Sequence, residues 1–240
     1  MKLLDFILLW EYSIDMEKTI YHGSNSVIEK PLFGYGKPYN DYGLGFYCTE
    51  SADMAKEWGV SKDSDGFSNC YLIDMSDLSI LDLNSKNYTV LHWLSVLLEN
   101  RTFDISNALA IDARDFLLSS FNVDYSSCDI MVGHRADDSY FSFAQNFING
   151  AISVRQLSSA MKLGNLGTQF VIKSERAFDR LIFKGFEVAS RSDWLERKEN
   201  RDREARRMYF DQERNRRQKG DLYIGQIIDE EIGPDDVRLR

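Results

Sequence analysis

"TIYHGSN", residues 19–25, decides the expected fold, because a run of residues typical of a β-strand ends there in histidine and glycine. Thr19, Ile20 and Tyr21 favour a pleated, half-buried strand, and the residues that follow His22 favour a turn. These residues alone leave two interpretations of His22 open. It is either a packed or solvated imidazole at the end of a strand, or a functional histidine where a strand opens into a loop.

The composition describes an acidic globular protein. Of its 240 residues, 43% are hydrophobic, and the formal net charge is -9. This balance excludes a surface that is basic all over, so a nucleic-acid partner would have to bind a local patch. The three cysteines, Cys48, Cys70 and Cys128, lack metal-ligand spacing. They predict neither a disulfide framework nor a zinc site, and they fit a reducing cytoplasm.

The ends of the expected domain follow from the N-terminal segment and from the absence of linkers. "MKLLDFILLW", residues 1–10, is too short to span a bilayer and has no small-residue cleavage site. We therefore expect residues 1–17 to form an extension packed on the body of a cytoplasmic protein that has no membrane partner. Residues 18–240 show no internal repeat, and the prolines of the chain are only three and scattered, so there is no Pro-rich linker. These residues are therefore expected to form a single domain.

Strands and helices are mixed along the chain without regular alternation. Strands are expected over residues 18–23, 46–49, 70–75, 79–83, 128–133 and 168–173. Helices are expected from residue 51 and over 89–101, 105–121, 139–150 and 153–164, with Ser106 as an N-cap. This order favours the α+β class over a doubly wound parallel sheet.

The C-terminal part contains a run of charge. Residues 191–219 carry eleven Lys or Arg and seven Asp or Glu and predict a long charged helix with a local net charge of +4. Such a helix is either solvated and laced by ion pairs four residues apart, or it is a surface for nucleic acid or another partner. Residues 221–232 are expected to pack back onto the body.

Four stretches, in order, carry a resemblance to a known superfamily. They are "YHGS" at 21–24, "YGLGFYCT" at 42–49, "MAKEWG" at 54–59 and "LGTQFVIK" at 166–173. Together they resemble the diphtheria-toxin-like branch of the ADP-ribosyltransferases, which includes the poly(ADP-ribose) polymerases. That branch has a His-Gly at the end of its first strand, a Gly-rich turn into a strand with a tyrosine, a second aromatic residue eleven positions later, and a polar residue opening a late strand.

Two further stretches narrow the resemblance. With "VGHRADDSYF" at 132–141 and "TQFVIKSERAF" at 168–178, the chain is similar to a family of small bacterial proteins of this fold, described as a domain of unknown function. Members often occur in toxin–antitoxin or phage-defence gene clusters. The resemblance implies split antiparallel sheets with surrounding helices, NAD as the substrate, and a possible cognate antitoxin as a partner.

The resemblance also implies a role for the opening stretch. His22 would hydrogen-bond a ribose hydroxyl, and the backbone of Gly23 would pair with the nicotinamide carboxamide, with Ser24 in the same binding segment. A glycine suits this position because a side chain would obstruct the approach of the backbone to the ligand. On this interpretation the strand ends in His-Gly because both residues bind NAD.

The other implied contacts come from later in the chain. Tyr47 would stack on the nicotinamide ring, Trp58 would form the second wall, and Gln169 would contact the ribose. Because bound nicotinamide is cationic, an aromatic face would attract it by about 0.5 to 2 kcal/mol beyond ordinary burial. Without the resemblance, Tyr47 and Trp58 would be interpreted as core aromatics.

Gln169 departs from the superfamily pattern, since many of its enzymes have glutamate there. Glutamine can hydrogen-bond a ribose but cannot act as a base. The candidate substitute carboxylates are Asp137 and Asp138, with Glu175 a third; Asp138 could instead cap the following helix. His134 with Asp137 and Asp138 makes no convincing metal site, although the sequence does not exclude His92 as a further ligand.

The leading hypothesis is an NAD-dependent mono-ADP-ribosyltransferase that acts in the bacterial cytoplasm as a toxin or defence effector. Its acceptor would be a protein or a nucleic acid, RNA or DNA. Two alternatives remain open: a catalytically silent module that binds NAD, ADP-ribose or a partner protein, and an NAD glycohydrolase in which water replaces the acceptor.

Overall fold

The computed structural model describes residues 17–136, 138–163, 167–214 and 217–239, so the expected extension lies outside the described residues except for Glu17. This part contains seven strands and eight helices. The strands are β1 (Glu17–Ser24), β2 (Phe46–Thr49), β3 (Gly66–Asp74), β4 (Ile80–Asp82), β5 (Ile130–Gly133), β6 (Gln169–Ile172) and β7 (Leu181–Ala189). The helices are α1 (Ala52–Gly59), α2 (Val90–Asn100), α3 (Ala108–Ser120), α4 (Asp138–Ile148), α5 (Val154–Ala160), α6 (Glu175–Phe178), α7 (Arg191–Met208) and α8 (Ile224–Asp229).

The strands form one mixed sheet in the order β4-β5-β6-β2-β1-β3-β7, which confirms the α+β class. Adjacent strands are antiparallel except β4 and β5, which are parallel. The resemblance implied split antiparallel sheets, whereas the described strands form one sheet that is antiparallel except at this edge. The physical reason is the connection: α2 and α3 lie between the two strands in sequence, and such a long crossover allows parallel pairing.

The sheet is weakest at its centre, where β1 meets β2. These strands share one residue pair, Tyr21 with Thr49, whereas β1 pairs with β3 along its whole length from Glu17 to Ser24. Continuing the β1–β2 register would place Gly23 opposite Tyr47, but the pairing has ended by then. The two strands therefore diverge beyond Tyr21, and a fork opens between the two halves of the sheet.

Hydrophobic clusters pack against both faces of the sheet beside the fork. Side chains alternate between two clusters: Met131 and Val171 face the cluster formed with α2 to α5 and α8, whereas Ile130 and Ile172 face a second, smaller cluster. Trp93 on α2 is buried in the larger cluster. Burial on both faces explains why β5 and β6 read as nearly continuous apolar runs.

Helix α1 fixes one wall of the fork by packing directly against β1. Its N-cap is Ser51, whose hydroxyl accepts a hydrogen bond from the Met54 amide. A Cβ atom at Gly23 would lie 2.0 Å from the carbonyl oxygen of Ala55 and 2.7 Å from the Cβ of Trp58. The glycine is therefore required by the close approach of a strand and a helix, a reason that the sequence did not reveal.

Several helix boundaries differ from the expected ones. Asn107, not Ser106, caps α3, since the Asn107 side chain accepts from the amide of Ala110. The helix α4 begins at Asp138, so this residue is not an N-cap before a later start. Short polar side chains at neighbouring positions compete for the cap, and the sequence pattern alone does not separate them.

The charged C-terminal helix is also shorter than the expected 191–219. After α7 the chain makes a π-helical turn over Tyr209–Arg214, and residues 217–219 are not helical. Tyr209 is buried, with its ring centroid 4.1 Å from that of Phe143. Tyr209 begins this wider turn, and Gly220 after it adopts a φ of 91°, a conformation that favours glycine.

Three further observations concern the described residues. The expected return of residues 221–232 to the body is confirmed, because Ile224, Ile227 and Ile232 are buried in the larger cluster. None of the helices in the described ranges combines the length and apolar character that crossing a membrane requires. Within the same ranges, no three His, Cys, Asp or Glu side chains come together as a possible metal site.

Replacing Gly23 with alanine should destabilise the protein, because the new methyl group would meet backbone atoms of α1, which cannot move as a side-chain end can. We expect the free energy of unfolding to fall by about 3 kcal/mol. Urea denaturation measures this change. The matched control is Gly233→Ala, where a Cβ atom would have nothing within 4 Å, and a loss there as large as at Gly23 would contradict the packing argument.

Candidate functional site

The fork between β1 and β2 opens into a cleft of about 1060 Å³. Five residues singled out from the sequence line it together, although they come from four different elements: His22, Gly23, Tyr47, Trp58 and Gln169. The long connection between the strands, residues 25–45 and here called the β1–β2 loop, forms much of the remaining wall.

His22 bridges the fork with its side chain. Its Nδ1 lies 2.7 Å from the carbonyl oxygen of Tyr47, and its ring stacks on Phe46 at a centroid distance of 4.2 Å. A carbonyl only accepts hydrogen bonds, so Nδ1 must carry the proton. Burial lowers the pKa of His22, partly offset by this bond, and the ring is neutral. Nε2 is thereby left as an acceptor on a side chain that lines the cleft.

Ser24, the third residue of the predicted binding segment, is not among the residues that line the cleft. Its hydroxyl donates to the carbonyl of Ser26 and accepts from the side-chain nitrogen of Asn69. Asn69 is fully buried and also donates to the carbonyl oxygens of His22 and Ser26. This network, which sequence reasoning missed, holds the start of the β1–β2 loop in place.

Tyr47 presents a ring whose orientation is fixed at its hydroxyl. The hydroxyl donates to the carbonyl of Gly43 and accepts from the amide of Tyr42, at 2.5 and 3.1 Å. Burial raises the pKa of Tyr47, so the phenol stays protonated and continues to donate. Backbone groups of the segment just before β2 therefore hold the Tyr47 ring in place.

Gln169 opens β6 opposite Gly133 and Thr49 and is 6% exposed. Its Oε1 is buried without a hydrogen-bond partner. An unsatisfied buried acceptor costs about 1 to 3 kcal/mol, so its persistence needs an explanation. A donor brought in by a ligand would supply the missing bond.

Trp58 lies on the opposite wall, on α1. The guanidinium of Arg135 sits over the indole ring, 4.1 Å from its centroid. One aromatic face is therefore covered by a cation of the chain itself. The indole nitrogen is buried and, like the Gln169 oxygen, lacks a hydrogen-bond partner.

The cleft also contains a buried ion pair that sequence reasoning missed. The carboxylate of Asp41 accepts from Arg101 at 2.6 Å and from the amide of Ala136 at 2.8 Å. Burial raises the pKa of Asp41, and the bonds from Ala136 and Arg101 partly offset this rise. Three segments far apart in the chain meet at this carboxylate. The only feature of the sequence that could have pointed to Asp41 is its charge within a loop rich in glycine and tyrosine.

The charged helix α7 contributes to the cleft through Lys198 and Asp202. It packs on α1 through an ion pair between Arg201 and Glu57, 2.8 Å apart, with both side chains largely buried. This part of α7 is therefore not wholly solvated, because it packs on α1 and forms a wall of the cleft.

The other candidate residues do not join this group within the described part of the chain. Asp137 lies outside the described residues, and the side chain of Asp138 is likewise outside them. Glu175 begins α6 and does not line the cleft. His92 accepts from the amide of Thr89 through its Nδ1, and the two residues form a capping box at the start of α2. That role accounts for His92 without a metal.

The tautomer of His22 gives a direct prediction. Long-range ¹H–¹⁵N NMR should show a protonated Nδ1 and a bare Nε2 at neutral pH, with protonation only below the ordinary value of 6.5. On acidification the unfolded chain binds this proton first, so His22 lowers stability as pH falls below 6.5. Burial also lowers the pKa of His134, so the resonance must be assigned with His22→Gln. A proton on Nε2 alone would contradict the Tyr47 bond.

Asp41→Asn should loosen the cleft. The new amide nitrogen would face either the Arg101 guanidinium or the Ala136 amide, a donor against a donor, so unfolding should be easier by about 2 kcal/mol. Urea denaturation and hydrogen exchange of the Ala136 amide measure the two effects. The control, Asp221→Asn, breaks a comparable pair with Arg155, whose Nε lies 2.8 Å from Asp221. It should cost stability while leaving Ala136 exchange unchanged, and equal exchange in both variants would contradict the role of Asp41.

One family of known proteins matches most of this chain. A scan of protein families matches residues 18–183 to the family described as "Protein of unknown function (DUF3990)". Searches of curated proteins and of solved structures give no match. The matched range extends from β1 into β7, so it includes the fork and the residues that bridge it, whereas α7 lies beyond it. The chain therefore belongs to the DUF3990 family.

Proposed function

We propose that the protein is an NAD-dependent mono-ADP-ribosyltransferase. The observation that carries the proposal is the meeting of His22, Gly23, Tyr47, Trp58 and Gln169 in one cleft. These residues were selected because they resemble the NAD-binding positions of the diphtheria-toxin-like transferases, and nothing in their sequence spacing alone required a common cavity. The resemblance to toxin–antitoxin and phage-defence proteins extends the proposal to a toxin or defence effector.

Two acceptors in the cleft support a ribose site. His22 has an unprotonated Nε2 because its Nδ1 is engaged by Tyr47, and Gln169 has a buried Oε1 without a partner. A ribose of NAD carries two vicinal hydroxyl groups, both of which can donate. Binding such a diol would satisfy the Gln169 oxygen, and the existing cost of that orphaned atom would favour the bound state.

The fixed ring of Tyr47 supports a nicotinamide site beside it. Nicotinamide is cationic while attached to ribose and neutral once released, so an aromatic face binds the substrate more strongly than the product. One face of Trp58 is already covered by Arg135, which would repel a second cation there. On our proposal nicotinamide therefore stacks on Tyr47, and Trp58 forms a wall only through its remaining surface.

The chemistry needs little acid or base. The bond between ribose C1′ and the nicotinamide nitrogen breaks with its electron pair going to nicotinamide, and the acceptor then bonds C1′ and loses a proton. The residues of this chain would bind and orient the two parts and exclude water around the developing cation. Gln169 cannot take the acceptor's proton, so the acceptor must be an effective nucleophile without help from this residue.

A silent binding module is the second candidate, and the state of the carboxylates favours it. Both carboxylates among the described cleft-lining residues are paired: Asp41 with Arg101 at 2.6 Å and Asp202 with Arg201 at 3.1 Å. Neither is free to replace the glutamate that many transferases have at the position of Gln169. Such a module would bind NAD without releasing nicotinamide.

Incubation with NAD labelled on the adenylate phosphate, in the presence of cell lysate, tests the proposal. We expect label in a macromolecule, and a loss on the order of a hundredfold in His22→Ala and Tyr47→Ala, because each removes a group that positions the reacting bond. Gln169→Ala should also slow the reaction. The control Phe186→Ala changes an exposed aromatic residue on β7, away from the cleft, and circular dichroism checks the folding of each variant.

The outcomes separate the candidates. Label that enters a macromolecule and depends on His22 establishes a transferase. Free ADP-ribose in its place identifies a glycohydrolase. Binding of NAD without nicotinamide release identifies the silent module, and the absence of both overturns every NAD-based interpretation.

A further inference from the structure

The β1–β2 loop presents aromatic side chains to solvent at the edge of the cleft. Tyr35 and Tyr39 are 81% and 77% exposed, and Leu32 and Phe33 are also exposed. Single exposed apolar residues are common, but four within eight positions form a patch of the kind that marks an interaction site. Tyr35 also lines the cleft itself, so the patch is continuous with the candidate site.

The patch is held by buried contacts at its base. The backbone amide of Ile28 donates to the side chain of Asn69, and its carbonyl accepts from the hydroxyl of Tyr71. The Phe33 ring packs edge-on against Phe178 at 5.6 Å. A turn then closes from Leu32 to Tyr35. An anchored loop loses less conformational entropy when a partner binds than a mobile one does.

Cations line the cleft beside this patch although the whole chain is acidic. The cleft lining includes five cations and two carboxylates, and both carboxylates, Asp41 and Asp202, are paired with arginines. The five cations are Lys30, Lys37, Arg101, Arg135 and Lys198. Glu29 is an exposed carboxylate next to Lys30. In a protein of net charge -9, this is the local positive patch that a polyanion would need.

We propose that the β1–β2 loop binds single-stranded nucleic acid and delivers it to the cleft as the acceptor. Flat rings stack on unpaired bases of any sequence, and neighbouring lysines bind the phosphates between them. A duplex would keep its bases stacked inside and would offer these rings nothing to contact. This inference rests on the proposed transferase activity for the acceptor role, but binding itself does not require NAD.

Fluorescence anisotropy with labelled single strands of about 12 nucleotides, both RNA and DNA, tests the binding. The variant Tyr35→Ala/Tyr39→Ala should weaken affinity by about tenfold for each ring removed. The variant Lys30→Gln/Lys37→Gln should lower the slope of log affinity against log salt by about 1.4, or about 0.7 for each phosphate that a lysine no longer neutralises. Both pairs are exposed, so circular dichroism should show no change in fold.

The matched control is Phe186→Ala/Lys184→Gln on β7, which removes an exposed ring and an exposed lysine away from the loop. Its affinity and salt dependence should equal those of the unaltered protein. Equal weakening in the control, no detectable binding of either strand, or preference for a duplex of the same sequence would overturn the proposal.

The labelled-NAD reaction separates two outcomes: failure of nucleic acid as the acceptor, and failure of the proposed transferase activity. Label removed by nuclease, and absent in Tyr35→Ala/Tyr39→Ala, supports nucleic acid as the acceptor. Label that resists nuclease and yields to protease means a transferase with a protein acceptor, and overturns the acceptor role alone. Oligonucleotide binding without any NAD turnover leaves the binding surface in place and overturns the transferase.

Discussion

The bond from the imidazole of His22 to the carbonyl of Tyr47 is the contact on which the rest of the cleft depends. Two neighbouring strands normally satisfy each other through backbone groups, and any gap between them would expose those groups. Here the ladder between β1 and β2 ends after one pair, and a side chain reaches across the gap. The sheet thereby remains one structure while its centre is open enough for a ligand.

The walls of this opening are held by buried polar groups with defined partners. Asn69 binds the chain as it leaves β1, and Asp41 ties the β1–β2 loop to Arg101 and to the backbone after β5. A buried amide or carboxylate is stable only when its partners are in place, so each one permits few alternative arrangements of the loop. Gln169 differs from these two residues, because its oxygen, like the indole nitrogen of Trp58, is buried in the same region without a partner. The contrast distinguishes Gln169 from Asn69 and Asp41, whose polar groups hold the walls through defined bonds.

The sequence was most informative where a local pattern corresponds to a local structure. The run before His22 and the tyrosine in "FYCT" each predicted a strand, and the structure has β1 and β2 at these positions. The partnership between Asp41 and Arg101 was not predictable, since nothing in the chain links two residues so far apart before the fold is known. The parallel pairing of β4 with β5 could not be predicted for a related reason, because residue alternation identifies a strand but not its neighbour in the sheet. Gly23 was singled out from the sequence as a ligand contact, but the packing of α1 against it depends on tertiary contacts that the sequence does not reveal.

The position of β6 has a consequence for how the protein is made. This strand lies between β5 and β2 in the sheet, yet it comes late in the chain, at Gln169–Ile172. A ribosome therefore completes β1, β2 and β3 long before the strand that stabilises β2 from the other side exists. Long-range pairings of this kind form slowly, because the entropy of closing a large loop must be overcome first. The nascent chain thus has His22 and Tyr47 early but no enclosed cavity, and the cleft is complete only after β6 has been synthesised.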